Sequence, residues 1–327
     1  MSLIDREPAD SQLEWAGLKV LVTGGGGFIG FNLCRHLCKA GSQVHATSRT
    51  KQVTEPGGPI WWQGDLADLA TARHLISSIK PDIIFHLSGM VGASPGLDLV
   101  LPTFHSLLAS TVNLLAVSAE GSCRRIVLVA SLTEPQASQN EITPGSPYAA
   151  AKWASGAYGR MFHSLYGTPC VMVRPFMAYG PAQDPKKLIP SVALALLAGE
   201  SPKLSSGQWQ ADWVYIDDVI EGFLQAALVP RIEGTTIDLG SGTLVSVRTV
   251  VEQLVSVIGN DIKPLFGALQ DRPFEQVRLA DTASAYAKLG WKATTSLERG
   301  LQQTVDWYRD QERAKLPARV GGRPATG

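Results

Sequence analysis

Two short patterns in this 327-residue chain carry side chains able to move protons or to cradle phosphates. Tyr148 and Lys152 lie four residues apart, the spacing that puts two side chains on one face of a helix. A lysine ammonium beside a phenol favours the phenolate and lowers the tyrosine pKa, which makes Tyr148 a candidate acid or base near neutral pH. Ser131 follows the strand expected at 125–130, so its hydroxyl falls at a strand end where ligands bind. The second pattern is Thr23-Gly24-Gly25-Gly26-Gly27-Phe28-Ile29-Gly30. Glycines let the backbone approach a pyrophosphate, and a helix N-terminus offers it free N–H groups and a positive dipole end. Gly24, Gly27, Phe28, Ile29 and Gly30 are therefore expected to hold a dinucleotide.

The surrounding elements have the order such a site needs. An apolar strand precedes the glycines, and Ile29, Leu33 and Leu37 then repeat every four residues as on one helix face. Strands are expected at 18–23, 43–48, 60–63, 82–87, 125–130 and 170–174. Helices are expected at 29–40, 67–79, 102–119 and 147–166. Several of the strands are continuous apolar runs, as in strands buried on both faces of a parallel sheet. Strand–helix alternation predicts a doubly wound parallel α/β sheet of Rossmann type over 16–180. After Tyr179 the pattern loosens around Pro181, Pro185 and Pro190. A smaller substrate-binding lobe is expected over 181–312, with strands that can return to the sheet, and frayed tails at 1–15 and 313–327.

Composition narrows the partners. Lys+Arg and Asp+Glu are both 29, and no basic face stands out, so nucleic acid is not expected. The N-terminal stretch carries Asp5, Arg6, Glu7 and Asp10 and does not read as a signal peptide. The apolar run 188–198 contains Pro190 and is too short for a membrane span, which predicts a cytoplasmic protein. Cys34 and Cys38 share a helix face, but no histidine cluster completes a metal site, and they read as core residues.

Taken together, these residues resemble the extended short-chain dehydrogenase/reductase family, in particular its sugar-nucleotide epimerases, dehydratases and ketoreductases. The likeness runs from about Leu18 to Arg309. It includes the glycine turn, Gly64-Asp65-Leu66, His86-Leu87-Ser88, and Ser131, Tyr148 and Lys152 as a catalytic triad. Arg174-Pro175-Phe176-Met177-Ala178-Tyr179-Gly180-Pro181, Asp212-Trp213-Val214-Tyr215-Ile216-Asp217-Asp218, Arg272-Pro273, Ala280-Asp281 and Leu289-Gly290-Trp291 complete it. The resemblance implies that Asp65 holds the adenine amino group, with Leu66 and Leu87 beside the cofactor. It implies that Lys152 also grips the nicotinamide ribose and that Ser131 bonds the reacting oxygen. Met177 and Arg272 would touch substrate, Arg272 through the nucleotide diphosphate, a task suited to a guanidinium fork. It further implies a homodimer paired through helices 102–119 and 147–166. Their apolar faces include Leu107, Leu108, Leu114 and Leu115, then Ala149, Ala150, Ala154 and Ala157.

The chain departs from the family pattern in places that bear on function. Its second strand ends Thr47-Ser48-Arg49, and no acid occurs between Gly30 and Glu55 to take a ribose 2′-hydroxyl. Ser48 and Arg49 suit a 2′-phosphate, so NADP is the expected cofactor, with NAD as the other candidate. Leu132 and Thr133 stand where dehydratases carry Asp-Glu, which argues against dehydration. Glu134-Pro135-Gln136 replaces the usual Val-Tyr-Gly, and Met177 the usual Asn. The expected function is an NADP(H)-dependent reductase acting on a keto group of an NDP-4-keto-6-deoxyhexose. The alternative is an NAD-dependent NDP-sugar epimerase. A catalytically silent dinucleotide sensor is a remote third, opposed by the intact triad.

Overall fold

Seven parallel strands, in the order β3-β2-β1-β4-β5-β6-β9, make up the main sheet of the computed structural model. The described residues are 14–92, 94–135, 143–271 and 276–315. The first six strands are those expected from the sequence: β1 (Lys19–Thr23), β2 (Gln43–Ser48), β3 (Ile60–Gln63), β4 (Ile83–His86), β5 (Arg125–Val129) and β6 (Cys170–Pro175). The seventh, β9 (Thr236–Leu239), pairs with β6 in the register Met172↔Thr236 to Pro175↔Leu239. Val20, Leu21, Val22, Ile84, Phe85, Ile126 and Val127 are fully buried, because helices cover both faces. The strand order reverses between β1 and β4, which opens a crevice at their C-terminal ends.

Helix boundaries follow local chemistry. The helix α1 (Phe28–Lys39) starts at Gly27 with no side-chain cap and no acid in its first turn, so its N–H groups stay free. In α2 (Leu69–Ile79), Asp68 caps the N–H groups of Ala70 and Thr71. In α4 (Pro147–Tyr166), Ser146 caps Ala149, Pro147 opens the first turn, and Gly167 ends the helix at φ 66°.

Between them, α3 runs over Leu97–Ala119, longer than the 102–119 expected, and holds a π-helical stretch at Phe104–Ala109. A Cβ on Gly89, at φ 145°, would overlap the Leu107 side chain that this stretch turns inward. The helix is 23 residues long and apolar enough to cross a membrane, a length the chain pattern alone did not reveal. It nevertheless packs against α2 and α4, and Asn113 donates to Leu66 O and Ala67 O.

The chain falls into two compact units. One unit comprises residues 1–178, 211–244 and 276–295, and the other 179–210, 245–275 and 296–327. The first unit regains the chain because β9 joins the sheet beside β6. It also takes in α6 (Ile216–Leu228) and α8 (Thr282–Leu289). Two buried carboxylates tie these later segments together. Asp212 accepts from Ser241 N, Ser241 Oγ, Gly242 N and Ala280 N. Asp218 accepts from Thr294 N, Thr294 Oγ1 and Thr295 N. A small sheet of order β10-β8-β7 is built from β7 (Met177–Tyr179), β8 (Gln210–Tyr215) and β10 (Leu244–Ser246).

The second unit has its own core around α5 (Leu188–Leu197), α7 (Val247–Ile258) and α9 (Leu297–Lys315). Ile189, Val192, Leu196, Val250, Val251, Leu254, Leu301 and Val305 are buried there. Most of the two tails falls outside the described residues. Trp15, assigned to the N-terminal tail above, is instead 2% exposed, with its ring 6.2 Å from that of Phe85.

Candidate active site

The glycine turn has the geometry its composition predicts. A Cβ on Gly30 would overlap Gly24 O, and one on Gly24 would lie 2.8 Å from the Ser88 backbone, so both positions demand glycine. Around Gly26 nothing lies within 4 Å, which leaves the outer side of the turn open. Gly27 N donates to Gly24 O, and Gly24 N to Thr47 Oγ1, so the turn is held from behind. Phe28 and Ile29 follow in the first turn of α1. An open cradle ending at an uncapped helix N-terminus fits a dinucleotide pyrophosphate.

At the end of β2, Ser48 Oγ gathers Thr50 N, Thr50 Oγ1 and Gln52 Nε2. Arg49 is exposed, and no salt bridge engages it among the described residues. A cavity of about 360 Å³ beside it is lined by Thr50, Lys51, Gln52, Trp61, Trp62 and Gln63. Lys51 is a second cation there that the sequence reading did not single out. Asp65 is exposed, its Oδ1 accepting from Ala67 N, while Leu66 is buried in the core. Leu87 is half-buried, and its N–H donates to Thr23 Oγ1.

The triad residues come together at the ends of β5 and α4. The Ser131 hydroxyl lies close enough to the Tyr148 phenol to lower its pKa, and Lys152 Nζ donates to Val129 O at 2.9 Å, two residues before Ser131. The electrostatics differ from the expectation. Burial pushes the Tyr148 phenol above its ordinary range, with the Ser131 hydroxyl opposing and the Glu134 carboxylate adding to the rise. Lys152 is 8% exposed, and burial brings its ammonium down to about 8 against the opposing pull of Glu134. At neutral pH Tyr148 thus holds its proton, and Lys152 titrates unusually close to neutrality.

Glu134 is a buried carboxylate beside Ser131 to which the sequence pattern assigned no role. It is 5% exposed, with Oε1 accepting from Ser131 N at 2.6 Å and Oε2 lying 3.5 Å from Arg174 Nη2. Arg174 also bonds Asp238 at 2.8 Å. Arg278 donates to Leu132 O and Glu134 O. The 131–134 turn is therefore fixed from three sides. The only signal in the sequence was a carboxylate where the family pattern is apolar.

His86 forms a second buried network. Its Nδ1 lies 2.9 Å from Thr23 Oγ1 and its Nε2 3.0 Å from Thr111 Oγ1. Thr111 donates its own proton to Leu107 O, so Nε2 carries the imidazole hydrogen and Nδ1 accepts. Met177 is half-buried in β7, and Arg272 lies outside the described residues. Leu107, Leu114, Leu115 and Ala149, named above for dimer pairing, are buried in the chain's own core. Ala157 from the same set is exposed and Leu108, Ala150 and Ala154 are half-buried, while the large exposed apolar residues of these two helices are Leu97, Val100, Leu101, Phe104, Trp153, Tyr158, Leu165 and Tyr166.

A glycine cradle at the reversal point of a parallel sheet, with serine, tyrosine and lysine beside it, defines an extended short-chain dehydrogenase/reductase. The chain belongs to the NAD dependent epimerase/dehydratase family, whose model matches residues 20–240. It is 29% identical over 315 residues to a UDP-glucose 4-epimerase of Mycolicibacterium smegmatis, spanning 90% of this chain and 99% of that one. It is 25% identical over 331 residues to a dTDP-glucose 4,6-dehydratase of Haemophilus influenzae, spanning 89% and 98%. Its fold matches the UDP-glucose 4-epimerase of Thermotoga maritima, solved with UDP-glucose, at a TM-score of 0.82 and 23% identity. That match covers 90% of this chain and 99% of the other.

Proposed function

We propose that this enzyme interconverts a hydroxyl and a ketone on a nucleotide-linked sugar, working as an epimerase. The observation that carries this reading is the Ser131–Tyr148–Lys152 cluster beside an intact dinucleotide cradle. The full-length likeness to a UDP-glucose 4-epimerase supports it. When bound, the nicotinamide supplies or takes up a hydride. Tyr148 gives or takes the proton of the sugar oxygen, and Ser131 shares that oxygen through its hydroxyl. Lys152 supplies positive charge at the base of the site, and Glu134 fixes the Ser131 backbone. Leu132 and Thr133, in place of the dehydratase acids, weigh against elimination of water.

A second reading is an NADPH-dependent ketoreductase. Ser48, Arg49 and Lys51 at the end of β2 favour a 2′-phosphate, and a Tyr148 phenol that keeps its proton suits donation to a ketone. Mass spectrometry of the nucleotide that co-purifies, followed by assay with UDP-glucose, separates the two. Retained NAD with formation of the 4-epimer supports the epimerase. An empty site, no 4-epimer, and stoichiometric NADPH loss with a nucleotide-linked 4-keto-6-deoxyhexose support the reductase.

The exposed apolar residues Leu97, Val100, Leu101 and Phe104 of α3 and Tyr158, Leu165 and Tyr166 of α4 support a homodimer through those helices. Light scattering at micromolar concentration tests it, and a monomeric mass refutes it.

A further inference from the structure

On the flank of α4, beside the end of β6, lies a cavity of about 580 Å³ for which the catalytic reading has no use. Three guanidinium groups converge on it: Arg160 from α4, Arg174 from β6 and Arg278 from the segment leading to α8. Glu134 and Asp238 are the carboxylates bonded to Arg174, and among the described residues they leave one of the three arginine charges uncompensated. Arg174 Nε is buried with no hydrogen-bond partner among the described residues. Arg278 donates only to the backbone carbonyls of Leu132 and Glu134, and no salt bridge reaches it or Arg160 among the described residues. Arg174 and Arg278 lie close enough to repel each other. Like charges held together with unused donors are relieved by a bound anion, and a guanidinium fork matches phosphate and carboxylate alike. The remaining wall is apolar: Trp153 is 39% exposed and Leu279 53%.

We propose that this cavity is a binding site for a small anionic molecule, its phosphate or carboxylate against Arg160, Arg174 and Arg278 and its flat or aliphatic body against Trp153. The site is separate from the glycine turn and does not rest on the functional reading above. Arg174 and Arg278 also hold the 131–134 turn, so an occupant is positioned to be felt at Ser131.

The test is calorimetric titration of the full-length protein with inorganic phosphate and with glucuronate, each with and without saturating NAD. Arg160→Ala is the first variant, because Arg160 sits exposed on a helix where alanine is well tolerated. Arg278→Gln is the second. The wild type is expected to bind at least one of the two anions with a Kd of about 1 mM or tighter, whether or not NAD is bound. Each variant is expected to weaken that binding by about tenfold or more, as loss of a charge-assisted hydrogen bond does. Binding of phosphate alone assigns the site to phosphoryl groups, and binding of glucuronate alone to carboxylates. Either pattern supports the proposal. Binding of neither anion, or equal affinities in wild type and Arg160→Ala, overturns it.

Discussion

Acidification should destabilise the protein through one imidazole, His86. The ring is 4% exposed, and both of its nitrogens are satisfied in the neutral form by Thr23 and Thr111. A second ring proton would put a cation in the core without a counter-charge. Burial first, and the nearby Lys152 ammonium second, bring its pKa down to about 3. An unfolded chain binds that proton near pH 6.5. The folded state therefore carries fewer protons than the unfolded state between those two values. The contribution of the neutral ring is intact above about pH 6.5 and is lost progressively as pH falls toward about 3. At pH 4 the gap amounts to some two and a half pKa units, or about 3 kcal/mol, a large part of the stability of an ordinary domain. Urea unfolding at pH 7 and pH 4, with the wild type beside His86→Gln, isolates this quantity, since every other group titrates in both proteins. The variant should be the less stable at pH 7, because it gives up buried hydrogen bonds. Its deficit should shrink by about 3 kcal/mol at pH 4. A deficit that is the same at both values would mean that His86 is not held neutral, and the reasoning fails.

Other expectations follow from the same site. Tyr148→Phe should lower turnover by about two to four powers of ten while cofactor affinity stays within a few-fold, read by steady-state kinetics and fluorescence titration. Near-normal turnover would remove Tyr148 from the mechanism. Arg49→Ala should abolish most of any preference for NADP(H), an effect of about ten- to a hundredfold in affinity. Equal titration of NAD(H) and NADP(H) by the wild type would show that no preference existed. Glu134→Gln removes a carboxylate that helps Tyr148 and Lys152 keep their protons. The alkaline limb of the pH–rate profile should therefore move to lower pH, and a limb that stays in place counts against the coupling.

Much of the first unit was legible in the sequence because its signals are local. Buried parallel strands read as apolar runs, the glycine turn advertises its own geometry, and Tyr148 and Lys152 share a face through helical periodicity alone. What escaped depended on distant partners. β9 is a four-residue strand whose place is set by β6, more than sixty positions earlier. Glu134 looks like a loop residue until Arg174 and Arg278 are folded around it. The direction of the Tyr148 shift was misjudged for the same reason. Spacing reveals that a lysine is near, but not how thoroughly both groups are removed from water, and burial is the larger effect. The early start of α3 and its π-helical stretch reflect tertiary packing against Gly89, which periodicity does not encode.

The interleaving of the two units bears on how the chain is made. Asp218 leaves the ribosome 76 residues before Thr294, whose backbone and hydroxyl it must accept, and Asp212 precedes Ala280 by 68. The first six strands can be synthesised and begin to pair while these carboxylates still face water and the β6 edge has no neighbour. An uncovered strand edge is a template for wrong pairing, and long-range closure is slow. The nascent enzyme thus passes through a stage in which its sheet is nearly built but unsealed. Truncation before residue 236 would fix the protein in that stage, so the piece ending at 235 should recruit chaperones or aggregate rather than fold as a free-standing nucleotide-binding module.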